Sequence, residues 1–225
     1  MIEIISKTAD YVIIYKPAGV PSQSDPSGAP DAMTLCSALL RELCERDELY
    51  LVHRLDRVVG GLMVFARNKR AAADLSCQVA DHSFEKQYFA VVHGKAEGGV
   101  LFDYIYKDAR LGKAFVTDRE RAGVKSAELE YKTLDSLEVG GQTLSLVKIK
   151  LKTGRFHQIR VQFASRQMPL IGDKKYGSRD FKAKIPSLFA TEIAFKNKGK
   201  EIRVSRLPSI SDYPWSLFAK EKYDG

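Results

Sequence analysis

Short apolar runs with strand-like alternation dominate this chain, and helical spacing is confined to a few stretches. Residues 2–5 and 11–16 (Tyr-Val-Ile-Ile-Tyr-Lys) read as β segments, the second stopped by the turn signal Pro17-Ala18-Gly19-Val20-Pro21. A polar, proline-rich loop covers 22–31. Asp31 then caps a helix running to about residue 46, with Leu35, Leu39, Leu40 and Leu43 near 3.6-residue spacing. A strand is expected over 61–66 and an alanine-rich helix over about 68–81. Beyond that the chain turns β. Segments 86–93, 99–106, 126–134 and 143–152 hold β-branched and aromatic residues, Gly140-Gly141 marks a hairpin, and Lys148-Ile149-Lys150-Leu151-Lys152 alternates cationic with apolar positions. A helix of about ten residues follows Thr153-Gly154, strands at 188–196 and 201–205 flank Asn197-Lys198-Gly199-Lys200, and a short helix is expected near 214–221. Many strands, few helices and no regular βαβ alternation imply an α+β fold, a mainly antiparallel mixed β-sheet with flanking helices. With no obvious interdomain linker, residues 1–225 are expected to form a single domain.

Composition narrows the class. At 225 residues, 44% hydrophobic and 28% charged, the chain is ordinary for a globular protein. No apolar run approaches the roughly 18 residues that cross a bilayer, so no membrane partner is expected. The N-terminal Met1-Ile2-Glu3-Ile4-Ile5-Ser6-Lys7 is neither a signal nor a transit peptide, which implies a cytoplasmic location. Cys36, Cys44 and Cys77 form no CxxC pair, and His53, His82, His93 and His157 fall at no metal-ligand spacing, so no metal or cofactor is expected. The net charge of +8 is uneven. Lys148 to Arg206 holds 16 Lys and Arg against 4 Asp and Glu, a balance of +12, while the rest of the chain stands at −4. A surplus confined to one segment points to a polyanion-facing surface.

Three stretches carry candidate chemistry. In His53-Arg54-Leu55-Asp56-Arg57, one carboxylate stands between two guanidinium groups, just ahead of Gly60-Gly61 and an apolar strand. Nearby cations favour the ionised, nucleophilic form of such a carboxylate in a partly dry cleft, and the glycines permit a sharp turn or a close approach. In Lys86-Gln87-Tyr88-Phe89-Ala90, strand alternation puts Lys86, Tyr88 and Ala90 on one face, leaving room for a flat group against the tyrosine ring. In Gly154-Arg155-Phe156-His157-Gln158-Ile159-Arg160-Val161, helical spacing makes Phe156, Ile159 and Phe163 a buried stripe with His157 and Arg160 on a neighbouring face. A helix start holding Arg155 and His157 suits phosphate, and Arg160 sits on a stiff element able to hold it against a carboxylate.

Together these stretches resemble the three successive motifs of the RluA-type pseudouridine synthases. Tyr15-Lys16-Pro17-Ala18-Gly19-Val20-Pro21 is similar to the segment opening that family's catalytic domain, and Pro169-Leu170-Ile171-Gly172-Asp173-Lys174-Lys175-Tyr176-Gly177 to the block after its third motif. The matches run in order over about residues 11–205. They leave no room ahead of Tyr11 for the S4 RNA-binding domain that many relatives carry, so a catalytic domain standing nearly alone is expected. The chain departs from the family in having Val59-Gly60-Gly61 for the usual Thr-Ser-Gly, Phe156 where Thr is commoner and Gln162 where His is common.

The resemblance implies isomerisation of a uridine in structured RNA, ribosomal or transfer, with the N1–C1′ bond broken and C5–C1′ made. It needs no metal or redox cofactor. Asp56 is then the essential carboxylate, attacking C1′, deprotonating C2′ or adding to C6. Arg160 pairs with Asp56, Tyr88 stacks on the uracil and moves the C5 proton, and Arg54 fills the space of the extruded base. Arg155, His157 and the basic segment hold phosphates, and Lys86 and Gln158 join them as substrate contacts. A monomer is expected. Two other classes compete: a catalytically silent RNA-binding module, in which Asp56 would be dispensable, and a glycosidase-like hydrolase, which needs a second carboxylate that the motifs do not offer.

Overall fold

A computed structural model of the protein describes residues 1–180 and 182–224. In chain order the first elements are β1 (Glu3–Lys7), β2 (Tyr11–Lys16), α1 (Ala32–Glu42), β3 (Tyr50–Leu51), β4 (Gly60–Ala66) and α2 (Lys69–Ala80). Next come β5 (Glu85–His93), β6 (Gly99–Asp108), β7 (Lys113–Thr117), β8 (Val124–Val139) and β9 (Gln142–Leu151). After them follow α3 (Gln158–Ala164), β10 (Leu188–Asn197) and β11 (Lys200–Ser205), with 3₁₀ turns at Lys174–Tyr176, Trp215–Leu217 and Lys220–Asp224. The chain divides into two compact units. Met1–Lys86 with Ala190–Arg206 forms the first, and Gln87–Phe189 with Leu207–Gly225 the second.

In the first unit the strands run β1-β2-β4-β10, with β11 on β10 and β3 on β4. The β1–β2, β2–β4, β3–β4 and β10–β11 ladders are antiparallel. All seven residues of β4 are buried, which is why its sequence reads as an unbroken apolar run rather than an alternation. Tyr11, Ile13, Leu62, Val64, Ala71, Leu75, Phe84, Ile193 and Phe195 make one core beneath α2. The Phe84 and Phe195 rings stack at 5.5 Å.

Asp31 caps α1 as the sequence predicts, its carboxylate accepting from Met33 N–H and Thr34 N–H. The helix nevertheless ends at Glu42, short of the predicted residue 46, because Cys44 takes a left-handed φ of 56° and its N–H turns back to the Arg41 carbonyl. Its buried residues are Ala32, Cys36 and Leu40, and the predicted Leu43 is exposed.

Gly61 has a φ of +130°, and a Cβ there would stand 2.3 Å from the Ala190 carbonyl oxygen. The close approach that the glycine pair signals is therefore that of β10. Gly61→Ala is expected to destabilise the fold by about 3 kcal/mol or more, read as a lowered Tm, since both the conformation and the space exclude a methyl group. An unchanged Tm would contradict this packing.

In the second unit the order is β5-β9-β8-β6-β7, and every ladder between these neighbours is antiparallel. Gly140 and Gly141, both at positive φ, close the β8–β9 hairpin as expected. Strand β7 escaped prediction, since five residues within a charged stretch carry little periodicity. Ile105, Ala114, Ala127, Val161 and Tyr176 pack beneath α3. That helix is seven residues long rather than about ten. Residues 155–157 stay outside it because His157, at its N-terminal boundary, has a left-handed φ of 52°.

Candidate active site

In the first unit the chemistry gathers on the loop that enters β4. Asp56 is half-buried there, and its carbonyl accepts from Val59 N–H at 3.0 Å in the turn before the strand. The residue before it is fixed twice by one side chain. The Ser22 hydroxyl donates to the Leu55 carbonyl at 2.7 Å and accepts from Leu55 N–H at 3.0 Å. The next residue is tied to the Pro17–Pro21 turn, with Gly19 N–H donating to the Arg57 carbonyl at 2.7 Å and Arg57 Nε to the Gly19 carbonyl at 2.9 Å. Arg57 continues to Ser27 and lies 3.6 Å from Asp25, so it serves the loop 17–27 rather than Asp56.

The cation that the first unit does bring to Asp56 is Lys16, whose electrostatic role the sequence does not reveal. Lys16 has no solvent exposure, and its ammonium donates to the carbonyls of Val20 (2.7 Å), Pro17 (3.2 Å) and Arg57 (3.4 Å). Burial pulls its pKa down to about 8 against the opposing charge of Asp56. Arg54 is exposed and makes no hydrogen bond or ion pair among the described residues, while Lys86 is buried on β5.

His53 anchors the other end of the loop. Its Nε2 accepts from Val64 N–H of β4 at 3.2 Å, its ring lies 5.2 Å from that of Phe84, and its buried Nδ1 has no hydrogen-bond partner among the described residues. Burial, and secondarily the charge of Lys86, push its pKa down to about 3, so the ring is neutral. A depressed base of this kind stabilises the fold fully above its unfolded value near 6.5 and loses that contribution as pH falls through the folded value. Stability is thus expected to decline between pH 6.5 and 3, with His53 alone contributing up to about 1.4 kcal/mol per pH unit. Thermal melts of His53→Gln against the native chain over that range check this. Equal slopes for the two proteins would contradict the neutral assignment.

In the second unit Arg160 forms a two-pronged bond to Asp173, Nε to Oδ2 at 2.7 Å and Nη2 to Oδ1 at 2.9 Å. Their side chains are 5% and 1% exposed. The guanidinium carbon stands 5.1 Å from the Tyr176 ring centre. The Tyr176 hydroxyl accepts from Ala114 N–H at 2.8 Å and shares a hydrogen bond with His157 Nδ1 at 2.9 Å. The His157 ring lies 3.8 Å from that of Phe156, with Lys107 over the other aromatic at 4.7 Å. Burial first, then the charges of Arg160, Lys175 and Lys107, push the His157 pKa down to about 3. It can offer a hydrogen bond to a phosphate but no charge.

Gln158 has a structural duty in this arrangement. Its Oε1 accepts from the Thr153 hydroxyl (2.8 Å) and Arg155 N–H (3.0 Å), and its Nε2 donates to the Glu128 carbonyl at 3.0 Å. Arg155 Nε donates to the Ser126 carbonyl at 2.8 Å. With Gln158 holding the Arg155 amide and α3 only seven residues long, residues 155–157 form a braced loop ahead of the helix. Tyr88 is buried on β5, where it is paired with Ile149 of β9.

Of the predicted residues, Arg54, Asp56 and Lys86 belong to the first unit, and Tyr88, Arg155, His157, Gln158 and Arg160 to the second. Within the units the structure joins Asp56 to Lys16, and Arg160 to Asp173, Tyr176 and His157. Among the described residues no group of His, Cys, Asp or Glu is placed to hold a metal ion, and no helix is long and apolar enough to cross a membrane.

A family model described as RNA pseudouridylate synthase matches residues 10–165. An uncharacterized RNA pseudouridine synthase of Aquifex aeolicus is 36% identical over 189 residues, covering 78% of this chain and 56% of that protein. A tRNA pseudouridine synthase C of Vibrio parahaemolyticus is 27% identical over 99% of this chain and 96% of its own length. The fold is similar to that of human RNA pseudouridylate synthase domain containing 4, with a TM-score of 0.74 at 24% identity, covering 92% of this chain and 89% of that one.

Proposed function

The chain belongs to the RNA pseudouridylate synthase family, and from that membership we propose that it isomerises one uridine of a structured RNA, ribosomal or transfer, to pseudouridine. The N1–C1′ bond breaks, C5–C1′ forms, the C5 proton leaves and N1 gains one. Asp56 is the essential carboxylate. Tyr88 stacks on the uracil and takes part in moving the C5 proton, while Arg160 orients Asp56. Arg54 occupies the gap left by the everted base, and Lys86, Arg155 and His157 contact the RNA. Gln158 braces the loop that carries Arg155 and His157. The enzyme acts as a cytoplasmic monomer that needs no metal or redox cofactor.

What supports this reading most is the setting of Asp56. It is a half-buried carboxylate whose neighbours on both sides are bonded to the Pro17–Ser22 segment, and it lies in the field of a fully buried ammonium. Such a group stays ionised and held in one place, as a nucleophile or base requires. The test is release of tritium from transfer and ribosomal RNA transcripts carrying [5-³H]uridine, incubated with the purified chain. Release that matches pseudouridine formed supports the proposal, and no release from either class of transcript overturns it.

The basic segment after Lys148 gives a second expectation. RNA affinity should fall about 10³-fold or more between 50 and 200 mM salt, and Lys174→Glu should reduce the slope of log K against log salt by one to two. Filter binding across a salt series checks this, and a flat response would contradict it.

A further inference from the structure

Two lysines of the first unit lose nearly all contact with solvent, and the fold treats them differently. Lys16 has three carbonyls and the charge of Asp56 around its ammonium. Lys86 is 8% exposed, and among the described residues its ammonium has no hydrogen bond and no ion pair. Near it are the Phe84 ring, 5.8 Å from Nζ, and His53, a neutral imidazole. A cation over a ring at that distance offsets only part of the desolvation of a buried ammonium. The residue keeps a small opening to solvent. Burial lowers its pKa, which an arriving anion would reverse. An uncompensated cation held in this way is a site for a negative charge from outside the protein.

We propose that Lys86 is an anion-binding residue that receives one backbone phosphate of the RNA beside the uridine on which Asp56 acts. This rests on the pseudouridylate synthase reading and deepens it by assigning a chemical group to one side chain. A phosphate fits better than a uracil carbonyl because a full negative charge compensates the ammonium where a dipole would do so only in part. Lysine suits the task as a point charge, needing no two-pronged geometry.

The signature of such a residue is a stability gain on its removal together with a loss of binding. Lys86→Met is expected to raise the Tm in phosphate-free buffer. Inorganic phosphate should raise the Tm of the native chain and of Lys86→Arg by several degrees more than that of Lys86→Met. Binding of a uridine decanucleotide at low salt should weaken roughly five- to tenfold in Lys86→Met, with the salt slope reduced by about one, and Lys86→Arg should retain most of the affinity. A lower Tm for Lys86→Met would overturn the proposal by revealing a structural partner. Equal phosphate effects on the native and Met proteins would overturn the anion site. A phosphate difference with unchanged decanucleotide affinity would overturn its assignment to RNA. The phosphate melts do not depend on catalysis, so their outcome is separate from tritium release by the native chain, which judges the family reading alone.

Discussion

Asp56→Asn should lower pseudouridine formation by at least 10²–10⁴-fold, the scale on which a positioned carboxylate contributes, while RNA binding stays within a few-fold of native. The amide keeps the shape of the side chain, and the bonds that hold the loop come from the backbone of Leu55 and Arg57, so the loop survives the change. What disappears is the negative charge. With it goes the charge that opposes the effect of burial on Lys16, so the Lys16 pKa should fall further, below about 8. Tritium release and filter binding on the same preparation separate the two effects. A variant that keeps a tenth of native turnover would remove Asp56 from its role.

Arg160→Met should be the most destabilising single change at the site, by about 3–5 kcal/mol, because it leaves the Asp173 carboxylate buried and without its counter-charge. For a chain of this length that corresponds to roughly 6–20 °C in Tm. The Tyr176 ring loses the guanidinium above it as well. Changing both members, Arg160→Met with Asp173→Leu, should recover a large part of the loss, since a buried pair replaced by apolar groups often costs little. Thermal melts of the two single variants and the double variant form the cycle. A single-variant Tm within two degrees of native would show that the pair carries no such weight.

Much of this was legible in the sequence, and the rest was hidden for identifiable reasons. Residues 11–16, 61–66 and 86–93 appear as strands because apolar runs bounded by turn residues have few other solutions, and the Gly140-Gly141 hairpin follows from backbone freedom alone. Lys16 lies within a motif, yet nothing in the sequence marks it as buried. A lysine closing a strand before proline looks like a surface residue until β1 and β4 flank β2. Asp173 lies 13 residues beyond Arg160 with no periodicity to connect them, so their bond is a product of the turn at Lys174–Tyr176 rather than of any local signal. Arg57 misled in the opposite direction, being adjacent to Asp56 in sequence but turned toward Gly19 and Ser27. Gln158 lies inside a recognisable motif and works as a brace, a difference that only its hydrogen bonds reveal.

The most direct measurement is a structure of the chain bound to an RNA that it modifies, trapped as the Asp56→Asn variant. The account predicts the target uridine turned out of its stack, with C1′ at about 3–3.5 Å from the side chain at position 56 and the uracil against the Tyr88 ring. A target uridine still stacked in the RNA, or seated away from position 56, would contradict it.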